Sequence, residues 1–157
     1  MSTASAIAHG TSQPDPATIL QRWFDEIWNK GMIETVDELL AEDAVMWGTA
    51  RPDQSSRGGA EFKEFYHRQR SATPDIKIHL DQIVREGDTA FARWTVTATH
   101  TGDGLGIPPT NKELKITGMS GCRVREGKIV EAWNIWDQIG LARQLGLLDG
   151  PVAQMFA

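Results

Sequence analysis

The spacing of apolar residues along the sequence changes at Pro74, and this change limits the folds open to the chain. Before it, apolar residues recur every third or fourth position, as in Ile19, Trp23 and Ile27. After it, apolar residues alternate with polar ones, beginning at Ile76. The first spacing is typical of amphipathic helices and the second of half-buried strands. The sequence therefore predicts helices followed by an antiparallel sheet, which is an α+β fold.

The residues before Pro74 predict three helices. An Asp-Pro pair at 15–16 is typical of a helix start, since aspartate caps the first turn and proline fits its first position. We predict helices over residues 16–30, 33–41 and 59–71, and Gly31 ends the first of them.

The residues after Pro74 predict four long strands. Turn signals that contain glycine fall at residues 86–88 and 125–128, while residues 102–111 form a longer loop. A short strand, a polar loop and a last short helix complete the prediction. The predicted segments are strands 44–47, 76–80, 90–100, 114–124 and 129–136, the loop 48–59, and a helix carrying Leu141, Leu145 and Leu148.

The length of the chain, 157 residues, predicts a single domain, because it lies near the commonest domain size. We assign residues 1–14 to an N-terminal tail, which mixes small and polar residues without any periodicity. Residues 15–150 are assigned to one α+β domain, and residues 151–157 to a C-terminal tail.

Charge and hydropathy argue against several classes of function. The net charge of −5 disfavours binding to a nucleic-acid backbone. No lysine or arginine precedes Arg22 and the longest apolar run is Ala44–Trp47, so we expect neither a secretory signal nor a membrane span. The one cysteine, Cys122, has no partner for an internal disulfide, and a cytoplasmic location is the simplest expectation.

Asp137 is the leading candidate for a catalytic residue. It follows Glu131, Trp133 and Ile135 on one face of a predicted strand. A carboxylate among such side chains loses solvation, which raises its pKa and suits it to exchange protons with an acidic carbon. The alternative is structural, because aspartate is also a favoured N-cap for a helix that starts near Ile139.

His100 is the second candidate, in series with Trp94, Val96 and Ala98 on a predicted strand. An imidazole facing a cavity can donate a hydrogen bond to an enolate oxygen or move a proton. The alternative is that His100 closes the strand by bonding a backbone carbonyl. The sequence leaves both interpretations open.

Four further residues are candidates for substrate binding. Trp23, Trp47 and Trp133 come from elements expected to meet in the interior, where they would stack on a flat apolar ligand or simply pack the core. Arg123 is expected either in a salt bridge or against the substrate. No cluster of His, Asp or Glu has the spacing of metal ligands, so we expect no metal.

Several short strings, in order, carry a resemblance to a known family over residues 17–148. The strings are Thr73-Pro74-Asp75, Glu86-Gly87-Asp88, Arg93-Trp94, Thr99-His100-Thr101-Gly102, Gly106-Ile107-Pro108-Pro109-Thr110, Gly127-Lys128-Ile129-Val130-Glu131-Ala132-Trp133, and Asp137 with Gly140-Leu141 and Gln144-Leu145-Gly146. In this order the chain resembles the SnoaL-like ester cyclases (polyketide cyclases) of the nuclear transport factor 2-like superfamily.

The resemblance implies a cone-shaped, curved antiparallel sheet wrapped around three N-terminal helices, a cystatin-like arrangement with a deep apolar pocket. It also implies cofactor-free acid/base chemistry, the closure of a ring in a polyketide ester by intramolecular aldol condensation. In this family an aspartate at the end of the last long strand is the acid/base, and Asp137 occupies that position.

Two alternatives to a cyclase remain open on the same fold: a non-catalytic protein that binds a small apolar or aromatic molecule, and a hydratase or hydrolase that uses the same aspartate. Asp137 pointing inward with His100 or Arg123 would favour an enzyme, whereas a wholly apolar pocket would favour binding. We also predict a homodimer through the outer face of the sheet, since the long strands carry apolar residues on both faces.

Overall fold

The computed structural model describes residues 14–49 and 53–155. Within them lie five α-helices, a π-helical segment and one six-stranded sheet, which confirms the predicted α+β class. The tail predicted over residues 1–14 falls outside the described residues except for Pro14, as do residues 156–157 at the other end.

The first helix begins as the Asp-Pro pair predicts. The Asp15 side chain accepts a hydrogen bond from the backbone N–H of Ala17, at 3.2 Å, and helix α1 spans Pro16–Arg22. It continues without a break as a π-helix over Trp23–Asn29. The wider turns of this segment bury four large side chains, in two pairs of consecutive residues. Trp23 belongs to the first pair and Trp28 to the second.

Helix α2 is shorter than the prediction of 33–41. It spans Thr35–Leu39, because Leu40 already belongs to strand β1, Leu40–Trp47, where it is buried and paired with Ile129. Leu39 and Leu40 are both buried, and both fit the three- and four-residue spacing of a buried helix face. They nevertheless lie in different elements. Helix α3 spans Gly58–Ala72 and agrees with the predicted 59–71.

The four long strands are β3 (Lys77–Glu86), β4 (Thr89–Thr99), β5 (Glu113–Arg125) and β6 (Lys128–Trp136). They pair as the predicted antiparallel meander, within a sheet of order β2-β1-β6-β5-β4-β3. Two details differ from the prediction. Strand β1 lies parallel to β6, so the sheet is not wholly antiparallel, and a short strand β2, Ser55–Arg57, interrupts the predicted loop.

The hydrophobic core lies between the helices and one face of the sheet, here called the inner face. On β4 this face carries Ala90, Ala92, Trp94 and Ala98, all buried. The register pairs Ala90 with Cys122 on β5, which in turn pairs with a residue of β6 on the same face. The odd-numbered residues of β4 therefore lie on the opposite, outer face.

Two short helices follow the sheet. Helix α4, Gln138–Leu145, ends at Gly146, whose φ of 81° is the left-handed conformation that favours glycine. Helix α5, Gly150–Met155, lies where we expected a tail, and none of its residues is buried. None of the helices in residues 14–49 and 53–155 is both long and apolar enough to cross a membrane.

Candidate ligand cavity

A cavity of about 160 Å³ lies between the helices and the inner face of the sheet. Strands β3 to β6 contribute mainly aliphatic and small side chains, and the helices contribute an aromatic wall. The aromatic wall consists of Trp23, Phe24, Trp28, Phe62 and Phe65. An apolar cavity of this size is suited to a small, flat, apolar molecule.

The aromatic wall is held by ring-on-ring packing. The ring centroids of Trp23 and Phe62 are 4.6 Å apart, and those of Trp28 and Tyr66 are 5.1 Å apart. Trp23, predicted to bind substrate, is thus both a core residue and a lining residue. The two interpretations that the sequence left open for Trp23 are not exclusive.

A small polar group interrupts the apolar lining on the sheet side. Trp94 Nε1 donates to Ser120 Oγ at 2.9 Å, and Ser120 Oγ donates to Asn134 Oδ1 at 2.6 Å. The tryptophan N–H is only a donor and the amide oxygen only an acceptor, so the order of donation is settled by chemistry. All three residues line the cavity.

A glycine on β5 makes this arrangement possible. Gly118 pairs with Trp94, and a Cβ added at Gly118 would clash with the Trp94 ring and lie 2.8 Å from the carbonyl oxygen of Ile135. The absent side chain lets the indole lie across β5, where its N–H reaches Ser120.

Ser120 and Asn134 are absent from the sequence-based prediction. It followed the odd-numbered residues of β6 that lead to Asp137, whereas the inner face carries the even-numbered ones, as the pairing of Asn134 with Ser120 and of Ala132 with Cys122 shows. The available signal was the buried apolar series of β5, which Ser120 continues.

Asp137 lies at the end of β6 and is exposed. Its Oδ1 accepts the backbone N–H of Gly140 at 2.7 Å, so it is the N-cap of α4. The expected desolvation by its odd-numbered neighbours is wrong, because they lie on the outer face and Ile135 is 70% exposed. Asp137 is not among the lining residues, although Trp136 and Leu141 on either side of it are.

His100 is fully buried but does not line the cavity. Its Nδ1 accepts the backbone N–H of Thr110 at 3.2 Å, which leaves the proton on Nε2, and Nε2 has no partner within the described residues. The backbone group it bonds is thus an N–H, where we had considered a carbonyl.

Asp137 and His100 are not brought together. The Asp137 N–H bonds to Thr117, which pairs with Thr95 on β4. From Thr95 to His100 the strand advances roughly 16 Å at about 3.3 Å per residue. The two candidates therefore do not form a catalytic pair in this structure.

The rings of Trp47 and Trp133 lie on the outer face, contrary to the expectation that they meet in the interior. Trp133 stacks on Phe91 with ring centroids 5.9 Å apart, and Trp47 Nε1 donates to Glu131 at 3.3 Å. Their neighbours Met46 and Ala132 take the inner positions, since side chains alternate along a strand. Both tryptophans are nevertheless among the residues that line the cavity.

Arg123 also lies on the outer face. Its Nη1 is 2.6 Å from Glu131 Oε2, and its guanidinium carbon is 5.3 Å from the centroid of the Trp133 ring. Of the two interpretations of Arg123, the salt bridge is the contact that the structure contains.

Among the described residues, Cys122 is the one titratable group that lines the cavity. Burial raises the pKa of its thiol to about 12. Within the same residues, no group of three or more His, Cys, Asp or Glu side chains is placed to hold a metal ion.

Comparison with known proteins gives a family model and several solved structures. The model of the SnoaL-like polyketide cyclases matches residues 18–145. IdmH of Streptomyces antibioticus, a candidate polyketide cyclase, is 32% identical with a TM-score of 0.73, over 84% of this chain and 99% of that one. No curated protein matches the sequence.

Two further solved structures are similar. AclR of Streptomyces galilaeus, a candidate hydroxylase, is 26% identical with a TM-score of 0.75, over 86% of this chain and 100% of that one. A candidate polyketide cyclase of Acidithiobacillus ferrooxidans is 27% identical with a TM-score of 0.71, over 85% and 96%. The family model covers most of the chain, and the chain belongs to the SnoaL-like polyketide cyclase family.

Proposed function

We propose that the protein binds a flat, largely apolar polyketide ester or a related aromatic molecule in the cavity and closes a carbon ring within it. The observation that supports this most is the apolar cavity with its aromatic wall, in a chain of the polyketide cyclase family. Such a wall binds flat rings by apolar burial and by ring stacking.

The proposed reaction is an intramolecular aldol addition that needs no cofactor. A proton leaves the carbon next to the ester carbonyl, that carbon bonds to a ketone carbon, and the new alkoxide takes up a proton. No atom is gained or lost, so substrate and product have equal mass. Holding both carbons in contact supplies much of the acceleration, because it removes the entropic cost of bringing them together.

We keep Asp137 as the proposed acid/base, on the strength of its position at the end of the last long strand. In the structure its carboxylate caps α4 and is exposed, one residue beyond the cavity-lining Trp136. A catalytic role therefore requires the reacting end of the ligand to reach past Trp136. His100, held by Thr110 and outside the lining, can at most act on the ligand after a movement of its loop.

Asp137→Asn and Asp137→Ala test this role. With an aromatic keto ester whose ketone carbon is placed to close a six-membered ring with the carbon next to the ester carbonyl, Asp137→Asn should lower the rate of ring closure by roughly 10²–10⁴-fold, the usual effect of losing a general acid/base. It should leave stability nearly unchanged, because asparagine also caps helices well. Chromatographic separation of the isomeric product measures the rate, and thermal unfolding measures the stability.

If Asp137 is only a cap, the two variants will behave differently. Asp137→Ala would then lose about 1 kcal/mol of stability, and Asp137→Asn would turn over the substrate at the wild-type rate. That result would remove Asp137 from the mechanism.

One observation favours the alternative of a non-catalytic binding protein. Among the described residues, the lining contains no Asp, Glu, His, Lys or Arg. Under this alternative the wild type binds the same keto ester, measured by tryptophan fluorescence, but the ester is recovered unchanged. Ring closure above the uncatalysed rate would exclude it.

We also propose that the outer face pairs with a second copy of the chain. This face carries an exposed apolar patch, here called the outer patch, made of Trp47, Val84, Phe91, Met119, Trp133 and Ile135. Met119 is 59% exposed and Ile135 70%. Contiguous apolar surfaces of this kind usually mark an interface.

Light scattering tests the dimer. The wild type should have about twice the monomer mass of 17.4 kDa. Met119→Glu combined with Ile135→Glu should be a folded monomer, since charges buried at an interface without partners are costly. A wild type of monomer mass at high micromolar concentration would reject the proposal.

A further inference from the structure

We propose that Asn134 and Trp136 form a pair of hydrogen-bond donors in the cavity that holds an acceptor oxygen of the ligand, a carbonyl or an enolate. Ser120 and Trp94 position Asn134 for this task. The inference rests on the proposed function in one respect, that the cavity binds the ligand, and it names the chemistry by which the ligand is recognised.

The donation through Ser120 orients the Asn134 amide. Ser120 accepts the Trp94 N–H, and its own proton goes to Asn134 Oδ1. The amide oxygen is therefore occupied, and the two hydrogens of Nδ2 have no partner within residues 14–49 and 53–155. An amide held in this way offers donors, and not its acceptor, to a ligand.

Trp136 supplies a second donor. Its Nε1 is buried and has no hydrogen-bond partner within the described part of the chain. The indole N–H can only donate, and a buried donor without a partner is unfavourable unless something else occupies it. Trp136 lines the cavity, so an oxygen of a bound ligand can be that partner.

The two donors lie on the same side of the cavity. Asn134 and Trp136 are alternate residues of β6 and both lie on the inner face, paired with Ser120 and Gly118. Alternate positions on a strand are about 6.6 Å apart, close enough for side chains that lean together to reach one oxygen or two neighbouring ones.

The surroundings define the class of ligand. Apart from these groups the lining is mainly apolar, and the described lining residues include no Lys or Arg to neutralise a carboxylate. The site therefore suits a flat apolar body with a neutral carbonyl oxygen. If that carbonyl becomes an enolate during the reaction, donors already in place stabilise its charge without reorganising.

A pair of ligands of nearly equal shape tests the proposal on the whole protein. The bicyclic ketone 1-tetralone has one carbonyl oxygen, and the hydrocarbon tetralin has none. Binding is followed by intrinsic tryptophan fluorescence and checked by calorimetry. The wild type should bind 1-tetralone more tightly than tetralin, after correction for their different partition between water and octanol.

The variants assign that preference to the donors. Asn134→Leu and Trp136→Phe keep the approximate volume and remove the donor, so each should weaken 1-tetralone binding by roughly 3- to 10-fold and leave tetralin binding nearly unchanged. Asn134→Asp presents acceptor oxygens, and it should weaken 1-tetralone binding at least as much.

Ser120 is a positioning residue and has its own matched control. Ser120→Ala should reduce the preference for the ketone, and Ser120→Thr, which keeps the hydroxyl, should restore it. Thr117→Ala removes a hydroxyl from the same strand on the outer face and should change neither affinity.

The outcomes separate this inference from the proposed function. Equal corrected affinities for the two ligands in the wild type, or a preference that survives both donor-removing variants, would overturn the donor pair and leave the cavity as an apolar binding site. If neither ligand binds, the donor site and the ligand cavity both fail. Loss of ring closure on Asp137→Asn with the ketone preference intact would support both proposals.

Discussion

Both faces of the sheet carry an aromatic residue packed over a glycine, but the two pairs lie in different surroundings. On each face an aromatic residue of β4 lies across a glycine of β5: Trp94 over Gly118 on the inner face, and Phe91 over Gly121 on the outer face. The glycines are three residues apart, an odd number, which places them on opposite faces.

The difference lies in what covers each aromatic residue. Trp94 is 6% exposed, lies beneath the helices and donates its N–H to Ser120. Phe91 is 46% exposed and stacks on Trp133, beside the Arg123 guanidinium. The inner pair thus forms part of the cavity wall, whereas the outer pair leaves apolar surface exposed, where another molecule can contact it.

Removing the two aromatic side chains should change stability most, and by different amounts on the two faces. We expect Trp94→Ala to lose about 3–5 kcal/mol of unfolding free energy, because it leaves a cavity in the core and removes the hydrogen bond that Ser120 Oγ accepts. Phe91→Ala should lose about 1 kcal/mol in the monomer, since half of its surface is already in water. Chemical denaturation measures both, and equal losses would contradict the distinction.

Filling the two glycines gives the next largest effect. A Cβ at Gly118 meets the Trp94 ring and, at 2.8 Å, the Ile135 carbonyl oxygen, and neither can move freely. We therefore expect Gly118→Ala to destabilise the protein by about 1–3 kcal/mol. The three atoms nearest to a Cβ at Gly121 all belong to the Phe91 ring, which can swing into solvent.

Gly121→Ala should consequently cost less than about 1 kcal/mol, and its unfolding midpoint should stay close to that of the wild type. The glycine comparison fails if Gly121→Ala proves the more destabilising of the two.

An alkaline pH dependence should come from the inner face. Burial raises the pKa of Cys122 to about 12, above the value of 9.0 for an exposed thiol, so the unfolded chain releases this proton first. The contribution of the thiol is full below pH 9 and is lost as the pH rises towards 12. In Cys122→Ala, the loss of stability as the pH rises from 9 towards 12 should be smaller than in the wild type. In the wild type, the thiol should resist alkylation at pH 8 until the protein unfolds.

An acid pH dependence, the smallest effect, should come from Asp75. Its carboxylate accepts the hydroxyl and the backbone N–H of Thr99, both at 2.7 Å, and the hydroxyl bond is the main cause of a pKa below its usual value. The contribution is present above the unfolded pKa of 3.8 and is lost as the pH falls.

Because Asp75 is exposed, we expect Asp75→Asn to cost at most about 1 kcal/mol at pH 7. The difference from the wild type should shrink below pH 4. A variant that remains equally destabilised in acid would show that the charge plays no part.

Much of the fold could be predicted from local sequence. The Asp15 cap, the apolar repeat from Ile19 and the glycine turns at 86–88 and 125–128 act over a few residues, so the first helix and the meander were predictable. The parallel pairing of β1 with β6 could not be predicted in this way. It joins segments that are far apart in sequence, and the pattern of each segment does not indicate which strand it pairs with.

The site was predicted less well, for a reason of register. The assignment of Trp47 and Trp133 to the interior and the assumed desolvation of Asp137 all depend on which alternate residues of a strand face inward, and a shift of one residue reverses every side chain. The assignment of Trp23 to the interior was not affected, because helical spacing identifies which face of a helix is buried.

Patterns within each segment were enough to predict the order of helices and strands, the family and the apolar character of the interior. Which face of β6 borders the cavity depends on tertiary packing. That packing places Ser120, Asn134 and Trp136 in the lining, while Asp137 caps a helix at its edge. The physical reason is that a strand has two chemically similar faces here, with tryptophan on both, and only packing against the helices determines which one is buried.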